Sequence, residues 1–123
     1  MNYTSIEQSK HLLELGLDPG SADMHYNFYR DEWDKVKSNG NIPSLMMNSL
    51  DDIPCWSVGA LLDVMPKLSK VEYDLVHRQE EYYAAFDDLN MQIHEDFLGK
   101  TPLEAVYNMV VWLLKNDYIK KGE

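Results

Sequence analysis

Thr101-Pro102-Leu103-Glu104-Ala105-Val106-Tyr107-Asn108-Met109-Val110-Val111-Trp112-Leu113-Leu114-Lys115 reads as a helix with its start signal written out. Thr101 suits the N-cap, Pro102 the first helical position, and Glu104 the reciprocal place in a capping box. Leu103, Val106, Tyr107, Val110, Leu113 and Leu114 recur at intervals that put them on one stripe made for burial. Nothing on the segment resembles a nucleophile, a metal ligand or a phosphate cradle.

Upstream, the period of the apolar residues changes. Val71, Tyr73, Leu75 and His77 alternate with Glu72, Asp74 and Val76, the pattern of a half-buried strand. Residues 81–87 predict a second strand with Tyr82, Ala84 and Phe86 on one face, and Arg78-Gln79-Glu80 connects the two as a hairpin loop. Leu89, Met91 and Ile93 suggest a third strand. In Pro54-Cys55-Trp56-Ser57-Val58-Gly59-Ala60-Leu61-Leu62-Asp63-Val64-Met65-Pro66, Ser57 caps a short helix and Pro66 stops it. Gly59 weakens that helix by about 1 kcal/mol relative to Ala, which suggests that another backbone comes close there.

Residues 4–15 predict the first helix, with Thr4 and Glu7 as a capping box and Ile6, Leu12, Leu13 and Leu15 on its apolar side. Gly16 ends it in the left-handed conformation, and Leu17 folds back on Leu12. Met24, Tyr26 and Phe28 alternate with His25, Asn27 and Tyr29 as a strand. Asp31-Glu32-Trp33-Asp34 is open between a turn and a helical piece. Asn39-Gly40 suits a hairpin turn, which would make residues 33–37 a further strand. Residues 44–53 read as a connector. The sum is one α+β domain spanning residues 1–123. It has a small antiparallel sheet of three to five strands, N-terminal and C-terminal helices packed on it, and a short middle helix.

Composition narrows the function classes. A chain of 123 residues buries roughly two-thirds of its unfolded surface and needs no staples. Eight Tyr and three Trp argue against disorder. Cys55 is the single cysteine, so no intrachain disulfide forms. No apolar run reaches a membrane span, and the first residues have neither the basic region nor the apolar core of a signal peptide. A cytoplasmic setting is expected. The net charge is −10, from 21 acids against 11 bases. That balance disfavours direct nucleic-acid binding, which draws most of its affinity from a basic face. It suits a surface that meets a basic partner.

Motifs that carry chemistry are scarce. His11, His25, His77 and His94 form no pair at a helical metal-binding spacing. His94-Glu95-Asp96 groups ligand types, but neighbours on a strand point to opposite faces. Asp87-Asp88-Leu89-Asn90-Met91-Gln92 is similar to the start of a calcium loop, yet Ile93 replaces the required glycine and Gly99 the bidentate acid. Cys55 precedes a helix N-terminus, where thiolates are stabilised, and is the one plausible nucleophile position; a small buried residue beside a core Trp is the plainer reading. No metal or cofactor is expected. Tyr26, Tyr29 and Tyr83 are the candidate interaction surface, since Tyr is enriched at interfaces.

Two segments carry a resemblance. Ile53-Pro54-Cys55-Trp56-Ser57-Val58-Gly59-Ala60-Leu61-Leu62, followed by Thr101 to Leu114, resembles a group of small proteins from phages and mobile elements of gut bacteria. The opening Tyr3-Thr4-Ser5-Ile6-Glu7-Gln8-Ser9, Leu15-Gly16-Leu17-Asp18-Pro19 and Ala22-Asp23-Met24 are similar to the same group. The layout also resembles the phage domain in which a small sheet is sandwiched between helices. The resemblance covers both ends and the middle helix, not residues 26–52. It implies fold and origin and brings no catalytic residues. The expected function is therefore that of a non-enzymatic accessory protein acting through an unidentified, basic protein partner. One version has the acids mimic nucleic-acid phosphates in a host protein's basic cleft. The alternatives are a small enzyme or ligand-binding domain using Cys55, His77 or His94, and a homodimer that buries the Tyr-rich strand edge.

Overall fold

The computed structural model describes residues 3–29, 32–38, 52–65, 71–78, 80–89 and 91–119, with the backbone alone for residues 27–29, 32–38, 52, 71–74 and 78. The sequence-predicted turn at Asn39-Gly40 and the helix stop at Pro66 lie outside the described residues. The architecture is α+β. Helix α1 (Ile6–Glu14) is followed by a 3-10 turn (Pro19–Ser21), strands β1 (Met24–Tyr29), β2 (Glu32–Ser38) and β3 (Asp52–Cys55), and helix α2 (Val58–Asp63). Strands β4 (Val71–Arg78), β5 (Glu81–Asp88) and β6 (Ile93–Gly99) lead to helix α3 (Pro102–Lys115). The strands pair as two antiparallel three-stranded sheets, in the orders β2-β1-β3 and β4-β5-β6.

Helix α3 is the centre of the core. Leu103, Ala105, Val106, Met109, Val110, Leu113 and Leu114 are buried on it, and each fully buried side chain of the Leu, Val or Met type contributes about 1.5–3 kcal/mol. The stripe packs on Ala84 and Phe86 of β5 and on Leu61 and Trp56 beside α2. Trp112 adds a half-buried aromatic, its ring 5.7 Å from Phe86 and 6.0 Å from Phe97 of β6. Thr101 caps the helix by accepting the Glu104 amide at 3.1 Å. The second half of the expected box shifts by one residue: the Glu104 carboxylate accepts from the amide of Lys100.

Both long helices close with the same device. Gly16, at φ 97°, lets Leu17 N donate to Leu12 O and Gly16 N to Leu13 O. This is the two-bond left-handed terminus that brings Leu17 onto Leu12, as the sequence predicts. Asp117, at φ 61°, does the same after α3, with Tyr118 N on Leu113 O at 2.9 Å. Tyr118 then packs edge-on against Phe86, 4.8 Å between centroids, and donates its hydroxyl to Asp88.

Four expectations need correction. The cap of α1 is Ser5 with Gln8, not Thr4 with Glu7. The Thr4 hydroxyl is unavailable because it binds Ser9 Oγ and the Trp56 amide in the interior. The connector before Pro54 contains strand β3, whose Pro54 sits opposite His25 at the sheet edge, where a missing N–H costs no ladder bond. Leu89 and Met91 belong to an exposed turn, and the third strand begins only at Ile93. Finally, Gly59 faces open space, its nearest prospective contact being Ser57 Oγ at 3.8 Å from a Cβ. The close approach is at Gly99, where a Cβ would land on the Ala105 amide nitrogen and 2.9 Å from the Glu104 carbonyl carbon.

The two glycines therefore separate cleanly. Gly59→Ala should stabilise the fold by about 0.5–1 kcal/mol through helix propensity. Gly99→Ala should destabilise it by about 1–3 kcal/mol, because backbone rather than a side-chain tip must move. Urea denaturation of the two variants checks this, and the reverse order would contradict the strand–helix junction described.

Candidate functional site

The residues expected to carry chemistry are distributed, not assembled. Cys55 ends β3 and is fully buried. Burial, with a smaller contribution from the Asp23 charge, pushes its thiol up to about 12. At neutral pH it is a thiol packed in the interior, the opposite of an activated nucleophile. The polar groups beside it serve α2: Asp23 accepts from the Ser57 amide at 3.0 Å and from its hydroxyl at 2.5 Å, and Ser57 Oγ accepts the Ala60 amide. His25 is buried in β1. His11 is on α1, 4.0 Å from the Glu14 carboxylate. His77 is exposed and stacks on Tyr82, 4.2 Å between centroids.

His94 is held between two carboxylates. The register places Asp87 of β5 directly opposite it, and Asp96 two residues along β6 shares its face. Nδ1 meets Asp87 Oδ1, and Nε2 lies 3.0 Å from Asp96 Oδ1. Hydrogen bonds to Asp87 and then Asp96 raise its pKa above the ordinary 6.5 although it is solvated. Both ring nitrogens are occupied, so the three groups do not converge on an ion. Among the described residues no group of three or more His, Cys, Asp or Glu side chains could hold a metal. The sequence reading missed this trio because it rests on cross-strand register, not on spacing along one segment.

Tyr26 and Tyr83 lie in different sheets. Tyr26 is half-buried against Tyr3, and its hydroxyl donates to Thr4 O at 2.9 Å. Burial above all, with lesser contributions from Cys55 and Tyr3, pushes its phenol up to about 12. It braces β1 against the start of α1. Tyr29 is on the same strand, and its side chain lies outside the described residues. Tyr83 is on β5 in the other sheet. Ala84, Phe86 and Asp88 are buried beneath α3, so the intervening Tyr83, Ala85 and Asp87 point away from the core. The register sets Val76 of β4 and Leu98 of β6 directly beside Tyr83. Val76 is 39% exposed and Leu98 52% exposed, so Val76, the half-buried Tyr83 and Leu98 form an apolar row on the sheet face turned away from α3. Leu75-Val76 and Phe97-Leu98 carried the signal: two consecutive apolar residues in a strand place one on each face.

A groove of about 310 Å³ lies between α1 and the start of α3, lined by Gln8, Thr101, Leu103, Glu104, Tyr107 and Asn108. Three of its polar side chains already have local partners. Gln8 Oε1 accepts Ser5 N, Thr101 Oγ1 accepts Glu104 N, and Asn108 Nδ2 donates to Leu98 O. It contains neither Cys55 nor any histidine. No described helix is long and apolar enough to cross a membrane.

The His94 trio gives a pH signature. The folded pKa is raised above the unfolded one, so its stabilising contribution is present below about 6.5 and fades as pH rises through the folded value. NMR titration should place His94 above 6.5 in the native chain and move it back toward 6.5 in Asp87→Asn and Asp96→Asn. An unshifted His94 in the native chain would contradict the pairing. Compared with known proteins, the chain finds no matching family model, curated protein or solved structure.

Proposed function

We propose that this chain is a non-enzymatic accessory protein that acts through contacts with another protein. The observation that carries this reading is the Val76–Tyr83–Leu98 row, an apolar strip open to solvent on the sheet face turned away from α3. Apolar side chains aligned across strands and rimmed by charge are the usual composition of a protein-binding patch. An origin in a phage or mobile element, and a cytoplasmic setting with it, belong to the same reading and rest on the sequence resemblance. The net charge of −10 supports a basic partner.

The enzymatic alternative draws less support. Its three groups lie on separate elements, Cys55 in β3, His77 in β4 and His94 in β6. Cys55 is inside and protonated, and the ring nitrogens of His94 are taken by carboxylates.

A tagged chain incubated with lysate of its source cell, washed at low and then at high salt, tests the reading. The expected result is a specifically retained basic protein that leaves at high salt. Retention of no specific protein would contradict it. Release of that protein by added duplex DNA would identify the phosphate-mimic version, in which the acids occupy a basic nucleic-acid cleft.

A further inference from the structure

The geometry points to the outer face of the β4-β5-β6 sheet as the docking surface, and to an apolar segment flanked by lysine or arginine on a partner protein as its occupant. This inference rests on the protein-contact reading above and names the surface that reading leaves open.

Three observations support it. The first is geometric: Val76, Tyr83 and Leu98 are direct register partners, so their side chains line up across all three strands on one face. The second is the division of the sheet. The centre of its inner face is filled by α3 at Ala84, Phe86 and Phe97, with Leu75 38% exposed at the β4 edge, while the outer row is exposed at both edges. The third is charge. Residues 71–100, which form this sheet, hold eight acids against two bases, so more than half of the chain's −10 is concentrated there. Glu81 and Asp87 share the outer face on β5, and Asp96 shares it on β6. His94, between Asp87 and Asp96, offsets one of these charges at most, when protonated, and leaves the margin negative.

Charge also selects the occupant. A second copy of the chain would bring another net −10 and the same acidic margin against this one. A nucleic acid would be repelled for the same reason. A segment with an apolar centre and basic flanks satisfies the row and the rim together, with the centre giving affinity and the flanks giving orientation and rate.

The test uses the full chain, labelled for backbone NMR, and two short probe peptides with the same Trp-Leu centre, one flanked by lysines and one by glutamates. The lysine peptide should shift the amides of Val76, Tyr83, Ala85, Asp96 and Leu98, and the glutamate peptide should not. Affinity should fall about fivefold or more between about 50 and 500 mM salt. Leu98→Lys should weaken binding about tenfold or more, with an unchanged melting temperature because the site is exposed. Val76→Lys supplies the same test from the other edge should Leu98→Lys misfold. Shifts confined to another surface, equal binding of both peptides, or no shift at millimolar peptide would overturn the assignment. So would a concentration-dependent dimer that Leu98→Lys returns to monomer. A lysate partner retained equally by wild type and both variants would overturn this surface while leaving the protein-contact reading intact. A wild type that retains nothing would instead remove that reading itself.

Discussion

The buried hydroxyl of Thr4 is the point on which the two halves of this chain depend. It accepts the Trp56 amide at 3.0 Å and shares a hydrogen bond with Ser9 Oγ at 2.8 Å. The Thr4 backbone donates to Trp56 O at 2.9 Å and accepts the Tyr26 hydroxyl. Trp56, fully buried, donates its indole N–H to Ser21 Oγ at 2.9 Å. The chain start, α1, the turn before β1, strand β1 and the entry to α2 are thereby tied together. Through Trp56 and Leu61 that assembly meets the stripe of α3, and through α3 the second sheet. Buried polar groups are costly unless paired, so a node in which each donor has its acceptor specifies one arrangement and penalises the others.

This node shapes the functional reading. Residue types that suggest chemistry in the sequence are engaged inside the fold. Tyr26 braces a strand, Ser57 and Asp23 start a helix, Cys55 is fully buried at the end of β3, and Asp88 anchors Tyr118 and the turn at Met91. Among the described residues the exterior carries acids, His77, His94 held between two carboxylates, and the apolar row on the second sheet. Helix α3 matters here indirectly, because covering one face of β4-β5-β6 fixes which residues face out.

How much of this was legible in the sequence depended on how local each signal was. The α3 stripe, its Thr101-Pro102 start and the Gly16 terminus of α1 are written within a few residues, and the fold follows them. Strands β4 and β5 are legible from alternation alone. The cap of α1 was misassigned because Thr4 and Ser5 are both capping residues, and only the long-range contact with Trp56 decides which one is free. Strand β3 is four residues long and contains Pro54, so it carries no periodicity to detect. The Asp87–His94–Asp96 trio and the Val76–Tyr83–Leu98 row are products of register between strands, which hairpin geometry sets and composition does not. The division of the six strands into two small antiparallel sheets is legible only in the structure, because alternation identifies strands but not which of them share a ladder.

The measurement that tests the central dependence most directly is the urea stability of Thr4→Val. Valine keeps the shape of the side chain and removes the hydroxyl, leaving the Trp56 amide buried without its acceptor. The account predicts a loss of about 1–3 kcal/mol. A Thr4→Val chain as stable as the wild type would show that the fold does not hang on this node, and that the polar side chains it gathers are free for another role.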